Sequence, residues 1–187
     1  MNSTQTLTGQ LLVAMPGMLD PNFRNSVTYI CEHSDSGALG LVINQPLDMA
    51  VSEVLEQLEM QTTDDALLGQ PVLRGGPVQA ERGFVLHESP HDWEATTEVG
   101  GSIYVTTSRD ILSDLASGNG PERMQIALGY SGWDAGQLEA EILQNAWLTV
   151  PASAAIVFET PFEQRWQAAA GSIGVDLASI SPQAGHA

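Results

Sequence analysis

Residues 26–43, SVTYICEHSDSGALGLVI, carry two adjacent strand signals. Across residues 26–33 the side chains alternate between the two faces of an extended strand. One face carries the odd-numbered residues Val27, Tyr29, Cys31 and His33. Residues 39–43 are apolar without alternation, which is typical of a strand covered on both faces. The stretch therefore predicts two strands of a sheet.

Further short apolar segments predict strands before and after this stretch, at residues 11–14, 83–86, 103–106, 125–128 and 154–158. Helical spacing of apolar residues predicts four helices, within residues 51–58, 108–118, 138–143 and 160–171. The most polar gap, residues 61–70, predicts a surface loop. Because helices and strands interleave without strict alternation, we expect helices packed on a mixed sheet rather than a pure doubly wound fold. No linker divides the chain, so we expect a single domain over residues 1–187.

Charge and the choice of basic residue exclude several classes of protein. The 187 residues include 23 acidic and 6 basic ones, a formal net charge of −17, and all six basic residues are arginine. The absence of lysine excludes a Schiff-base lysine and a Walker A loop, because both need an amine on a flexible stem. The negative field repels a phosphate backbone, so we expect no direct binding to nucleic acid.

The single cysteine and the amino-terminal segment predict a cytoplasmic location. Cys31 has no partner for an internal disulfide, which suits a reducing compartment. The apolar run from Leu11 to Met15 has only five residues, and no basic residue precedes it, unlike in a signal peptide. No stretch approaches the roughly 18 apolar residues of a membrane span, so we expect no membrane partner.

The segment His87-Glu88-Ser89-Pro90-His91 matches the H-E-x-x-H pattern of zinc proteases. That mechanism needs both histidines on one face of a continuous helix. Pro90 prevents such a helix, because its ring removes a backbone N–H and clashes with the carbonyl of Leu86, four residues earlier. We therefore expect a strand end followed by a loop, with no bound metal.

Cys31 and His33 share one strand face and are further candidates for chemistry. Positions i and i+2 of a strand would suit a thiolate–imidazole pair or two metal ligands. The same face carries Val27 and Tyr29, and in such surroundings a thiol is ordinarily a small inert hydrophobic group. We therefore expect Cys31 to be buried, and we identify no catalytic residue, metal site or cofactor motif in the sequence.

Four of the six arginines lie close in sequence to an acid. The pairs are Arg24 with Asp20, Arg82 with Glu81, Arg109 with Asp110, and Arg165 with Glu163. A guanidinium binds carboxylate oxygens in pairs or holds exposed backbone carbonyls at a turn, so these arginines are predicted to clamp turns and helix starts. The alternative is a functional one. Arg24, Arg82 and Arg109 would converge, with His87 beside them, into a pocket for a small anionic ligand.

Eleven segments between Gly9 and the carboxyl terminus together form the pattern of a known family. The segments are Gly9–Pro16, Asp20–Arg24, Tyr29–His33, Gly40–Asn44, Gly75–Val78, Arg82–His87, Thr106–Asp110, Leu128–Tyr130, Gly136–Glu139, Asn145–Leu148 and Gly185–Ala187. In this order they closely resemble the bacterial AlgH/YqgE family. The resemblance implies a mixed α+β fold in which a bent sheet forms a pseudo-barrel with helices around it. It transfers no catalytic residue; His87 matches the family pattern, whereas His91 does not belong to it.

Three functions are compatible with these observations. The leading one is a non-enzymatic cytoplasmic regulatory or binding protein that acts through an unknown protein partner or a small anionic ligand. The second is a small hydrolase-type enzyme that uses Cys31 or His87. The third, implied by the family label, is a transcriptional regulator that acts through a protein partner.

Overall fold

The alternating and apolar segments of the sequence become the central strands of one sheet. The computed structural model describes residues 6–88, 90 and 93–180. In this part of the chain ten strands form: β1 Gln10–Ala14, β2 Val27–Ser34, β3 Gly37–Val42, β4 Pro46–Ala50, β5 Pro71–Arg74, β6 Val78–His87, β7 Thr96–Gly100, β8 Ile103–Thr106, β9 Met124–Asp134 and β10 Trp147–Pro151. Five α-helices lie between or after them: α1 Val51–Gln57, α2 Asp65–Gly69, α3 Asp110–Ala116, α4 Gln137–Leu143 and α5 Arg165–Gly171.

The strands follow the order β10-β1-β2-β3-β9-β6-β8-β7, and every pair along this path is antiparallel. Outside the path, β4 pairs with β5, and β5 runs parallel to β9. The sheet curls so far that Gly9, just before β1, meets the end of β7 at Val99 and Gly100. The predicted α+β fold with a bent mixed sheet is therefore confirmed.

Three clusters of buried apolar side chains attach the helices to this sheet. The first joins β1, β2 and β3 to α5 and contains Tyr29 and Cys31. The second packs α1 and α3 against β5, β6 and β9. The third packs α4 against β1, β2 and β9. No helix among the described residues has the length and hydropathy needed to cross a bilayer.

Residues 154–158, predicted as a strand, instead form a single π-helical turn at Ala155–Glu159. The amide of Thr160 donates to the carbonyl of Ala155, five residues back, at 2.9 Å. Ile156 and Val157 in this turn are buried, as they would be in a central strand. A short apolar run buries its side chains in either conformation, so periodicity alone does not separate the two.

The other differences between the predicted and the observed elements lie mostly in partly exposed segments, where the hydrophobic pattern is weak. The predicted loop at residues 61–70 contains α2, and the Asp64 carboxylate caps this helix by accepting from the amide of Ala66 at 3.0 Å. Four strands were not predicted: β4, β5, β7 and β10. Three of them, β4, β7 and β10, have side chains that are mostly half-buried or exposed, so their hydrophobic alternation is faint.

The link between β5 and β6 passes very close to β9, and two glycines make this approach possible. A Cβ atom added at Gly76 would lie 2.2 Å from the carbonyl carbon of Tyr130 and 2.5 Å from the amide nitrogen of Ser131. One added at Gly75 would lie 2.3 Å from the carbonyl oxygen of Gly129. Backbone on both sides leaves no flexible side chain to move aside.

We therefore expect Gly76→Ala to lower the free energy of unfolding by at least about 2 kcal/mol, because it overpacks backbone against backbone. Gly69→Ala is the matched control, since an added Cβ at this helical glycine meets nothing within 4 Å. It should leave stability unchanged or raise it by up to about 1 kcal/mol. Urea titration of both variants measures the difference, and equal midpoints would contradict the close approach.

Candidate functional site

Two cavities adjoin each other along β6, and Phe84 and Thr107 line both. The large cavity, of about 490 Å³, is enclosed by α1, β6, β9, α3 and the junction between β8 and α3. The small cavity, of about 380 Å³, is enclosed by parts of β2, β3, β6, β7 and β8. Both volumes fall in the range of small-molecule sites.

The large cavity has an apolar interior and a polar edge. Its interior is formed by Val85 and Ile126 of the second core cluster, by three residues that pack against that cluster (Val54, Leu112 and Leu128), and by Phe84 of the first cluster. The edge carries hydroxyl, amide and charged groups: Gln57, Glu81, Thr106, Thr107, Ser108 and Arg109. Such a surface suits a ligand with an apolar body and one charged group.

Hydrogen bonds hold the β8–α3 junction rigidly beside the large cavity. The Ser108 hydroxyl donates to Asp110 at 2.5 Å and accepts from the amide of Ala95 at 3.0 Å. The Asp110 carboxylate also accepts from the amide of Glu94 at 2.7 Å. Burial acts to raise the pKa of Asp110, but these hydrogen bonds outweigh it and hold the pKa below its usual value. The exposed side chain of Arg109 therefore projects from a fixed segment.

A chain of buried polar groups connects the walls of the two cavities. Nε2 of His87 lies 2.7 Å from the hydroxyl of Thr106, which lies 2.8 Å from the hydroxyl of Thr96. Thr106 lines the large cavity and Thr96 lines the small one. The ring of His87 is fully buried, with Trp93 edge-on at 5.0 Å and Tyr104 stacked at 5.8 Å between ring centroids. His87 thus contacts Thr106 directly and is linked to Thr96 only through Thr106.

Arg82 lines the small cavity and rests on two aromatic rings. Its guanidinium carbon lies 5.0 Å from the ring centroid of Phe84 and 5.6 Å from that of Tyr130. Cation–π contacts of this kind orient a guanidinium without neutralising it. The i, i+2 spacing of Arg82 and Phe84 on one strand was a signal for this contact, but the position of Tyr130 depends on the pairing of β6 with β9.

Cys31 also borders the small cavity, but its thiol is poorly suited to chemistry. The residue is 7% exposed, which confirms the prediction that it is buried. Its S–H donates to the carbonyl of Tyr29 at 3.8 Å. Burial, with a smaller contribution from Glu32, raises the pKa of the Cys31 thiol and so disfavours the reactive thiolate.

The four sequence-predicted binding residues do not share one cavity. Arg82 lines the small cavity, Arg109 lines the large one, and His87 lies buried behind Thr106. Arg24 lies in the turn before β2, where its amide donates to the carbonyl of Asp20 at 2.8 Å; its exposed side chain lines neither cavity.

Of the two expected forms of arginine clamp, on carboxylates or on backbone carbonyls, the structure shows the second, at Arg165. Within residues 6–88, 90 and 93–180, none of the four predicted arginine–acid pairs lies within the 4.0 Å of an ion pair. Arg165 does act as a clamp, but on backbone carbonyls: it donates to the carbonyls of Ile43 at 2.6 Å and Thr160 at 2.8 Å. The contact with Ile43 was not predictable from local sequence, because Ile43 lies 122 residues away.

The H-E-x-x-H segment forms no helix at its start, because His87 is the last residue of β6. The predicted strand end is therefore confirmed. Ser89 and His91, the second histidine of the pattern, lie outside the described residues. Within the described part of the chain, no group of three or more His, Cys, Asp or Glu residues is placed to hold a metal ion.

Comparisons with known proteins agree with this architecture. A family model described as AlgH-like matches residues 11–178. A UPF0301 protein of Thioalkalivibrio sulfidiphilus is 53% identical over 188 residues, which cover 100% of both chains. The solution structure of the AlgH protein from Pseudomonas aeruginosa matches with a TM-score of 0.80 and 48% identity, over 100% of this chain and 99% of that one. A crystal structure of a Corynebacterium diphtheriae protein, 22% identical, shares the fold with a TM-score of 0.69 over 90% of this chain and 87% of that one.

We expect Cys31 to react slowly with Ellman's reagent at pH 7 in the folded protein, because its thiol is buried and its raised pKa keeps it protonated. The same thiol in urea-unfolded protein is the control and should react at least about a hundredfold faster, since exposure then requires no opening. Rapid labelling of the folded protein below pH 7 would instead indicate an activated thiolate.

Proposed function

The chain belongs to the AlgH-like family, and we propose that it is a non-enzymatic binding protein whose large cavity takes a small amphipathic anion. The apolar body of the ligand packs between α1, α3 and β6. Its anionic group meets Arg109 and the neighbouring hydroxyl of Thr107.

One observation carries the proposal. In a chain of net charge −17, Arg109 borders an apolar cavity of about 490 Å³. Within the described residues no carboxylate lies within ion-pair distance of its guanidinium. A surrounding negative field makes an unneutralised guanidinium the preferred local contact for an anion, and guanidinium matches carboxylate, sulfonate and phosphate geometry.

The burial of the two candidate chemical groups favours binding over catalysis. His87 is fully buried, and Cys31, although it borders the small cavity, is 7% exposed and has a raised pKa that disfavours the thiolate a nucleophile needs. The net charge of −17 likewise disfavours direct contact with DNA. A regulatory role then operates through an unknown cytoplasmic protein partner. Such a partner would sense whether the cavity edge, formed by α1 and α3 at the surface, is occupied.

Anilinonaphthalene sulfonate, an amphipathic anion that fluoresces in apolar surroundings, is a suitable probe for the large cavity. We expect saturable binding that weakens about tenfold in Arg109→Gln, because a charge-assisted contact is lost. Arg24→Gln removes the same charge from an exposed arginine outside both cavities and is the matched control. It should leave the dissociation constant nearly unchanged.

Gly83→Val tests the cavity itself. Gly83 lines the large cavity, and an added Cβ there meets only Leu128, at an ordinary contact distance of 3.9 Å. Valine suits a strand, so the variant should fold while its side chain fills the cavity and reduces probe binding. Unchanged binding in both Gly83→Val and Arg109→Gln, as judged by fluorescence titration, would disprove this location for the site.

A further inference from the structure

A separate cavity of about 330 Å³ lies beside α5 and is lined by two of the six arginines, Arg123 and Arg165. Its walls come from the π-helical turn Ala155–Glu159, the residues that follow this turn, and the start of β9. It shares no lining residue with the large cavity, although β9 contributes different residues to each. Turns of π-helix are rare and frequently occur at functional positions.

Arg165 is a buried cation whose hydrogen-bond partners are all neutral. The residue is 2% exposed. Its guanidinium donates to the carbonyls of Ile43 and Thr160 and, at 3.0 Å, to the side-chain oxygen of Gln125. The ring of Phe162 lies 4.5 Å below it. Within the described residues no carboxylate lies within 4.0 Å of this group.

A charge removed from water ordinarily has a counter-charge, because hydrogen bonds to neutral groups replace only part of its hydration. Desolvation accordingly lowers the pKa of Arg165 to about 10. The cavity against Arg165 offers room for the missing counter-charge, which an anion from solution would supply.

The remaining lining residues define the chemistry of such an anion. Phe158 and Phe162 contribute apolar surface for a compact organic body. The two acids that border the cavity, Glu122 and Glu159, are both exposed, and Glu159 is bound to Arg123. The lining acids are therefore exposed, whereas the lining cation Arg165 is buried.

We propose that this cavity binds a compact organic oxyanion, a carboxylate or phosphate group on a small apolar body, with the anionic group on Arg165. The body of the ligand packs against Phe158 and Phe162. The site is independent of the large cavity and takes a smaller ligand.

Substitution of Gln125 by glutamate provides a direct test, because Gln125 already accepts a hydrogen bond from Arg165. Gln125→Glu places a permanent counter-charge on the guanidinium without a change of shape, so the folded protein should retain or gain stability. It should also weaken anion binding at least tenfold. Gln167→Glu makes the same change of charge at an exposed position of α5 and is the matched control.

Calorimetric titrations with benzoate, phenyl phosphate and inorganic phosphate, each at an ionic strength matched with chloride, measure the binding. The variants are made in an Arg109→Gln background, which removes the anion contact of the large cavity. In this background we expect benzoate or phenyl phosphate to bind the parent protein and Gln167→Glu alike, and to bind Gln125→Glu weakly or not at all. Inorganic phosphate would overturn the organic part of the proposal if it bound the same variants as benzoate and phenyl phosphate with a comparable dissociation constant. The apolar body would then contribute nothing to binding. Absence of binding by all three probes, or equal binding by Gln125→Glu, would overturn the site itself.

Discussion

The pairing of β9 with three other strands is the constraint on which the rest of the structure depends. One end of this strand pairs with β3, and the remainder lies between β5 and β6. The β5–β6 link reaches β9 closely enough only because Gly75 and Gly76 carry no side chain. Because β6 and β9 both line the large cavity, this close approach also sets the shape of the candidate site.

The contacts of the arginines reflect the excess of acids in a chain with 23 acidic residues and 6 arginines. Abundant carboxylates would neutralise an arginine wherever the geometry allowed contact. Arg123 is neutralised in this way at the surface, where it forms ion pairs with Glu88 and Glu159. Arg82 lies instead on aromatic rings and Arg165 on neutral oxygens, and among the described residues neither has a carboxylate within ion-pair distance. Each lines a cavity. Such charges are suited to attract anions from solution.

The buried hydrogen-bond chain from His87 through Thr106 to Thr96 gives the two neighbouring cavities a shared wall. A polar group in an apolar interior needs its partners in fixed positions, since an unmade hydrogen bond there is costly. Movement of either threonine would therefore disturb the other. The histidine that resembled part of a zinc motif is instead a buried group that contacts Thr106 directly and is linked to Thr96 only through it.

The sequence by itself determined the α+β class, the central strands and four of the helices, because hydrophobic periodicity reports directly on which side of an element is buried. It also determined the burial of Cys31, through the apolar strand face that this residue shares with Val27 and Tyr29. Only the tertiary structure decided the π-helical turn at Ala155–Glu159 and the weakly patterned strands β4, β5, β7 and β10. It likewise separated Arg82 from Arg109 and brought Arg165 to Ile43 and Gln125, which are 122 and 40 residues distant. Partners so remote leave no local pattern, because their contacts arise from strand order and helix docking rather than from spacing along the chain.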